Sequence, residues 1–143
     1  MHIEYLKKDR KFDEKTINDF KLGSTLNVNS IQKKLLNKFD LKDLISSGTF
    51  SKNQNSKLFF MNRIMVPIVN LQNRTMGFGA RVIDKSLPKY INSSETKVFK
   101  KKQILFNENY LNKNSYKKLI LVEGYFDVIK LYQNGFKNCI APL

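Results

Sequence analysis

The spacing of hydrophobic positions changes near residue 50. Before it, short amphipathic segments alternate with capping residues. In "DEKTINDFKLG", Asp13 is a candidate N-cap, Ile17, Phe20 and Leu22 form the apolar stripe, and Gly23 is the expected stop. "NSIQKKLLNKF" places Ile31, Leu35 and Leu36 on one stripe, and "DLKDLISSG" starts at Asp40 and ends at Gly48. Segments this short need tertiary partners to remain helical.

After the polar stretch 51–56 the pattern becomes that of strands. "KLFFMNRIMVPIVN", a turn at "LQNRT" carrying Asn73, and "MGFGARVID" predict a hairpin. "SLPKYINSSETKVF" predicts no regular element, because Pro88 and the serines interrupt it. "KKKQILFNENYLNKNSYKK" predicts a short strand, a helical turn and a polar loop. The last segment is the clearest. "KLILV" predicts a buried strand, Glu123-Gly124 a sharp exit, "YFDVIKLYQNG" a helix closed by Gly135, and "KNCIAPL" a second strand. Strand, helix and strand in so short a span predict a βαβ unit of a parallel sheet. The expected fold is therefore an α+β part followed by the opening of an α/β part. The unit is opened and not finished, so a fragment of a longer chain is expected.

Composition adds a core and a partner class. The chain has 143 residues, 41% of them hydrophobic, with 11 Phe and 6 Tyr, enough to bury a core rather than remain disordered. A net charge of +14 favours a polyanionic partner, nucleic acid first and an anionic membrane surface second. Lys (22) far exceeds Arg (4) and Asn reaches 16, the drift that an AT-rich coding sequence produces, so the charge favours nucleic acid without establishing it. The lone cysteine, Cys139, excludes an internal disulfide and reads as a small buried hydrophobe. One Cys with one His, His2, cannot form a zinc-finger ligand set, so no zinc site is expected. The longest apolar runs are too short to span a bilayer, and no signal peptide is visible, so no membrane partner is expected.

The chemistry concentrates at "LILVEGYFDV". In a parallel sheet, ligands bind beyond the carboxyl ends of the strands. Glu123 stands at such an end, and Asp127 follows in the first turn of the next helix. Two acids converging on a cleft suit a hard divalent cation, Mg²⁺ or Mn²⁺. A plainer account also holds: Asp127 favours the positive end of a helix dipole and Glu123 is a solvated loop acid. Residues 97–143 hold nine Lys against Glu108, Glu123 and Asp127. A basic groove around a small carboxylate island is what metal-assisted phosphoryl or nucleotidyl transfer requires. "GFGAR", with Gly77 and Gly79 around Phe78, permits close backbone approach but is no Walker loop. Arg63, Arg81, Lys89 and Lys101 are the candidate cations. The Lys100–Lys102 run alone reads as a solvated patch.

Six blocks, "YLKKDRKFDEKTINDFKLG", "NRIMVPIVN", "MGFGARVID", "LPKYINSSETKVFKK", "LILVEGYFDVIKLYQNGF" and "NCIAPL", occur in an order that resembles the bacterial-type DNA primases (DnaG-like). The resemblance covers nearly the whole chain. It implies an α+β basic subdomain followed by the first βαβ of an α/β Toprim fold, incomplete here. Its divisions would be a helical part at 1–50, a β-rich basic part at 51–115, and the start of the Toprim domain at 116–143. It implies that Glu123 is the Toprim glutamate and a metal ligand, and that Asp127 is the acid of the same motif. Arg63, Arg81, Lys89 and Lys101 would line the groove used by nucleotide and template. The implied cofactor is Mg²⁺ or Mn²⁺, at a site this chain holds only in part. The implied partners are single-stranded DNA template, NTPs, the RNA primer, and a replicative helicase reached through a domain not in this sequence. The implied location is the bacterial cytoplasm or an organelle of bacterial descent.

The sequence also departs from the family's pattern. Ala80 stands for the usual Gly of "GFGGR", and Lys102 for a usual Gly. A zinc-binding domain and the family's downstream Asp-x-Asp pair have no counterpart, so these 143 residues alone are expected to make no primer. Two rival functions remain. One is a non-catalytic single-strand binder that stacks bases on Phe59, Phe60, Phe78 and Phe99. The other is a different Toprim phosphotransfer protein, a topoisomerase or nuclease, against which the "PKYINSSET" block counts.

Overall fold

The computed structural model describes residues 2–52, 57–111 and 116–143, so parts of the loops expected at 51–56 and before Lys117 lie outside the described residues. Four short helices precede the main sheet: α1 (His2–Lys8), α2 (Glu14–Asp19), α3 (Val28–Leu36) and α4 (Leu41–Ser46). Asp13 caps α2 by accepting from the Thr16 amide at 2.7 Å. Gly23 is not the stop. The chain leaves α2 at Phe20, Lys21 takes the left-handed conformation at φ 49°, and Gly23 opens a strand instead. Gly48 does end α4's segment with φ 73°.

The four-stranded antiparallel sheet runs in the order β1 (Gly23–Ser24), β2 (Ile64–Val69), β3 (Thr75–Arg81), β4 (Tyr90–Asn92). β2 alternates, with Ile64, Val66 and Ile68 buried and Met65, Pro67 and Val69 half-buried. It starts later than "KLFF" predicts, because Asn62, a residue tolerant of the left-handed region, breaks the run at φ 51°. The β2–β3 turn carries Asn73 at φ 59°, as expected of a hairpin turn. Pro67 sits beyond the two-residue β1, where β2 lacks a neighbour on that side.

β4 corrects the expectation of an irregular 86–99. Tyr90, Ile91 and Asn92 pair with Arg81, Ala80 and Gly79. Pro88 lies outside the strand and removes no ladder bond, and Ser93 Oγ accepts from the Phe78 amide to close the register. The short strand expected around residues 104–106 is reduced to one bridge, Phe106 with Ala141, followed by the helical turn α5 (Glu108–Leu111).

The last segment is a parallel pair, β5 (Ile120–Leu121) and β6 (Cys139–Ile140), joined by α6 (Tyr125–Gln133), the expected βαβ. β5 is only partly buried: Ile120 packs on the core but Leu121 remains 68% exposed, and among the described residues β6 is the strand that pairs with it. α6 buries Tyr125, Phe126, Val128, Ile129 and Tyr132 against Leu6 of α1, Ile17 of α2, the inner face of β2 and Phe99. Each such aliphatic side chain contributes about 1.5–3 kcal/mol on burial. A smaller cluster gathers Leu44, Phe50 and Leu58, with Ile31 and Leu35 of α3 packed on it. Leu36 does not share that stripe and stays 44% exposed, since it lies five residues from Ile31, well off the helix face. Cys139 is fully buried, as expected. Among the described residues no helix is long and apolar enough to cross a membrane.

Candidate functional site

A cleft of about 680 Å³ opens where β5 hands over to α6. Glu123 and Asp127 line it, together with Arg10, Phe59, Tyr90, Asn92 and Lys101. The local sequence explains the placement. β5 ends at Leu121, Gly124 is the extended N-cap of α6, and Asp127 falls in the first turn. Asp127 folds back over the cap: a Cβ on Gly124 would meet its Oδ2 at 3.4 Å. Both carboxylates are exposed to the cleft, one at the strand's carboxyl end and one at the positive end of the helix dipole.

One wall of the cleft is fixed by Tyr125 and Asn92. The Tyr125 hydroxyl donates to Asn92 Oδ1 at the end of β4. Burial pushes the Tyr125 phenol up to about 12, although the bond to Asn92 works the other way. Gly79 of β3 lets this ring in, because a Cβ there would fall 2.4 Å from Tyr125 Cε2. Gly77 similarly accommodates Phe99, whose ring would lie 3.1 Å from an added Cβ. The close approach that "GFGAR" permits is thus taken by two aromatic rings of the protein itself.

The four sequence-nominated cations separate. Lys101 lines the cleft, on a 3-10 turn at Lys101–Gln103. Lys89 is exposed beside Tyr90, and its carbonyl accepts from the Val82 amide. Arg81 is buried: its Nε donates to the Tyr90 hydroxyl at 2.9 Å and its Nη1 to the Tyr5 hydroxyl. Its guanidinium carbon lies 5.0 Å from the Tyr5 ring centre and 5.7 Å from that of Phe126. Arg63 is buried too, donating through Nη1 to the Pro88 carbonyl at 2.9 Å. Burial lowers its guanidinium pKa from the ordinary value, opposed by the nearby Asp84. Arg63, Arg81 and Lys89 are therefore set behind or beside the cleft wall rather than in it.

Arg10 was not among those candidates. It lines the cleft, donates through Nε to the Tyr5 hydroxyl at 2.8 Å, and lies 5.1 Å over the Phe126 ring. A signal for it existed, since it is one of only four arginines in a chain whose other cations are lysines. Tyr90 and Asn92 were missed with the strand that carries them. Of the four aromatics considered for base stacking, Phe60 and Phe99 are core residues, at 4% and 0% exposure, and cannot stack on a ligand. Phe59 and Phe78 are half-buried, and Phe59 borders the cleft.

Among the described residues no cluster of three or more His, Cys, Asp or Glu is placed to hold a metal. Two carboxylates fit a Mg²⁺-type ion only as part of its shell, the usual arrangement where waters and substrate phosphates complete the octahedron.

Comparison with known proteins covers the whole chain. Residues 1–112 match the DNA primase catalytic core, N-terminal domain, and residues 117–143 match the Toprim domain. DNA primases of Rickettsia prowazekii and Helicobacter pylori are 45% and 39% identical to it, each over 99% of this chain but only 24% and 26% of their own length. The chain thus spans about a quarter of the curated relatives it matches. The DnaG primase catalytic domain bound to ssDNA superposes with a TM-score of 0.90 at 31% identity, over 99% of this chain and 46% of that one. A DNA primase domain from Pseudomonas aeruginosa gives 0.86 at 32% identity, over 100% and 47%.

Proposed function

The chain belongs to the bacterial DnaG-like DNA primase family, and on that premise we propose that its cleft handles nucleotide and template during primer synthesis for DNA replication. The observation that carries the proposal is the convergence of Glu123 and Asp127 with Arg10 and Lys101 in one open cleft. The activity proposed for the whole protein is copying single-stranded DNA into a short RNA primer from NTPs.

In this reading Glu123, with Asp127, would hold a Mg²⁺ or Mn²⁺ ion. When bound, such a cation neutralises triphosphate charge and activates the attacking hydroxyl. The chain's own residues do the rest of the binding. Arg10 and Lys101 attract the phosphates, Arg10 pre-oriented by Tyr5 and Phe126. Tyr90 and Phe59 offer ring faces at the cleft's rim for a base. Arg63, Arg81 and Lys89 are proposed to contribute as the basic backing of that wall and rim, Lys89 with its side chain free in solvent.

The test is the affinity of this chain for single-stranded DNA and for NTP, with and without Mg²⁺, in the wild type and in Glu123→Ala. A primase cleft loses Mg²⁺-dependent NTP binding in the variant. A purely electrostatic binder ignores both the metal and the substitution, and that result would overturn the proposal.

A further inference from the structure

We infer that Gln133 and Lys130, at the far end of α6, are positioning residues for Arg10; the inference rests on the nucleotide-handling reading of the cleft. Gln133 bonds the α1–α2 loop in both directions. Its Oε1 accepts from the Asp13 amide at 2.9 Å, and its Nε2 donates to the Lys11 carbonyl at 2.9 Å. Lys130 Nζ donates to the same Lys11 carbonyl at 3.1 Å and to the Arg10 carbonyl at 3.4 Å. These are bonds to main chain, so they fix the loop's path and not merely one side chain's rotamer.

The loop needs such support. Lys11 sits in the left-handed region at φ 53°, where a residue with a Cβ is strained. On either side of it the loop leans on α6 by ring contacts. Phe12 stacks on Phe126 with centroids 5.8 Å apart and planes 4° from parallel, and the Arg10 guanidinium carbon lies 5.1 Å from the Phe126 ring centre. With its backbone held, Arg10 reaches the Tyr5 hydroxyl through Nε and lines the cleft. α6 is about 13 Å long at nine residues. One rod therefore carries the acid Asp127 at its first turn and, at its last, the clamp for a cation that lines the same cleft.

The experiment combines two readouts on Gln133→Ala, Arg10→Ala and the double variant. Hydrogen exchange of the Arg10 Nε–H, followed by NMR, reports the arginine directly and needs no ligand. It should accelerate in Gln133→Ala. Magnesium ATP binding, followed by calorimetry, should weaken roughly three- to tenfold in Gln133→Ala, the consequence of losing ordinary hydrogen bonds. Arg10→Ala should weaken it at least as much, and the double variant should bind no worse than Arg10→Ala alone. Gln133 is half-buried at the surface, so thermal unfolding separates any cost to the fold. Unchanged Arg10 exchange in Gln133→Ala, or additive losses in the double variant, would overturn the positioning role. Should the wild type bind no magnesium ATP, the reading of the cleft falls, and Arg10 exchange alone decides the clamp.

Discussion

Tyr125 occupies the space that any side chain at position 79 would need, with its Cε2 2.4 Å from where a Cβ would stand. The contact ties the central strand β3 to the first residue of α6, one position after Gly124 and two after Glu123. The glycine belongs to the packing of the site's wall and not to a phosphate loop.

Gly79→Ala should therefore destabilise the protein by about 1–3 kcal/mol, the usual cost of overpacking. Urea unfolding measures it. Because Tyr125 is backed by β3 and bonded to Asn92, the same variant should also reduce any Mg²⁺-dependent binding at Glu123. An unchanged midpoint would mean that the ring moves aside freely.

Tyr125 also makes stability depend on alkaline pH. Its folded pKa is raised from 10.0 to about 12, so the folded state holds the phenolic proton more tightly than the unfolded chain does. That stabilisation is complete below pH 10 and is lost as pH rises toward 12. Tyr125→Phe should flatten the fall in melting temperature over that window. Equal slopes for wild type and variant would refute the assignment.

At the acid end, Asp13 acts with the opposite sign. Its bond from the Thr16 amide holds the carboxyl below its ordinary 3.8. The stabilisation is present above that value and disappears as pH falls through the lower folded pKa. Asp13→Asn keeps an acceptor at the cap, so it should leave melting near neutral pH almost unchanged. The same variant should remove part of the acid-side decline.

Arg81 should behave first as a structural residue. Removing its guanidinium strips the Tyr5 and Tyr90 hydroxyls of a charged donor, and Arg81→Ala should cost about 1–3 kcal/mol in chemical unfolding. Arg81→Lys should not restore it, since an ammonium cannot reproduce two forked bonds and ring stacking. A variant with full stability and impaired nucleotide binding would place the guanidinium in the ligand's path instead.

The aromatics divide by burial. Phe99→Ala should cost about 3–5 kcal/mol of stability as a core truncation. Phe59→Ala should leave the fold nearly intact and weaken single-stranded DNA binding by about 1–3 kcal/mol if a base stacks there. Fluorescence anisotropy with a labelled oligonucleotide distinguishes the two.

Local rules were enough for much of this protein. The Asn73 turn, the Asp13 cap and the strand–Glu-Gly–helix–strand order of the ending are legible from neighbours a few residues apart, although β2 is shorter and β5 shorter and more exposed than the sequence predicts. Contacts between distant segments could not be read that way. β4 exists because β3 offers it a ladder, although its own residues follow a proline and precede serines. Whether an arginine is buried or free depends on what packs on it from 76 positions away, as Tyr5 does on Arg81. Arg10 lines the same cleft as the carboxylates, and its loop is bonded by α6, more than a hundred residues later. Spacing along the chain put the two acids at the strand–helix junction, and long-range packing set Arg10 on the same cleft.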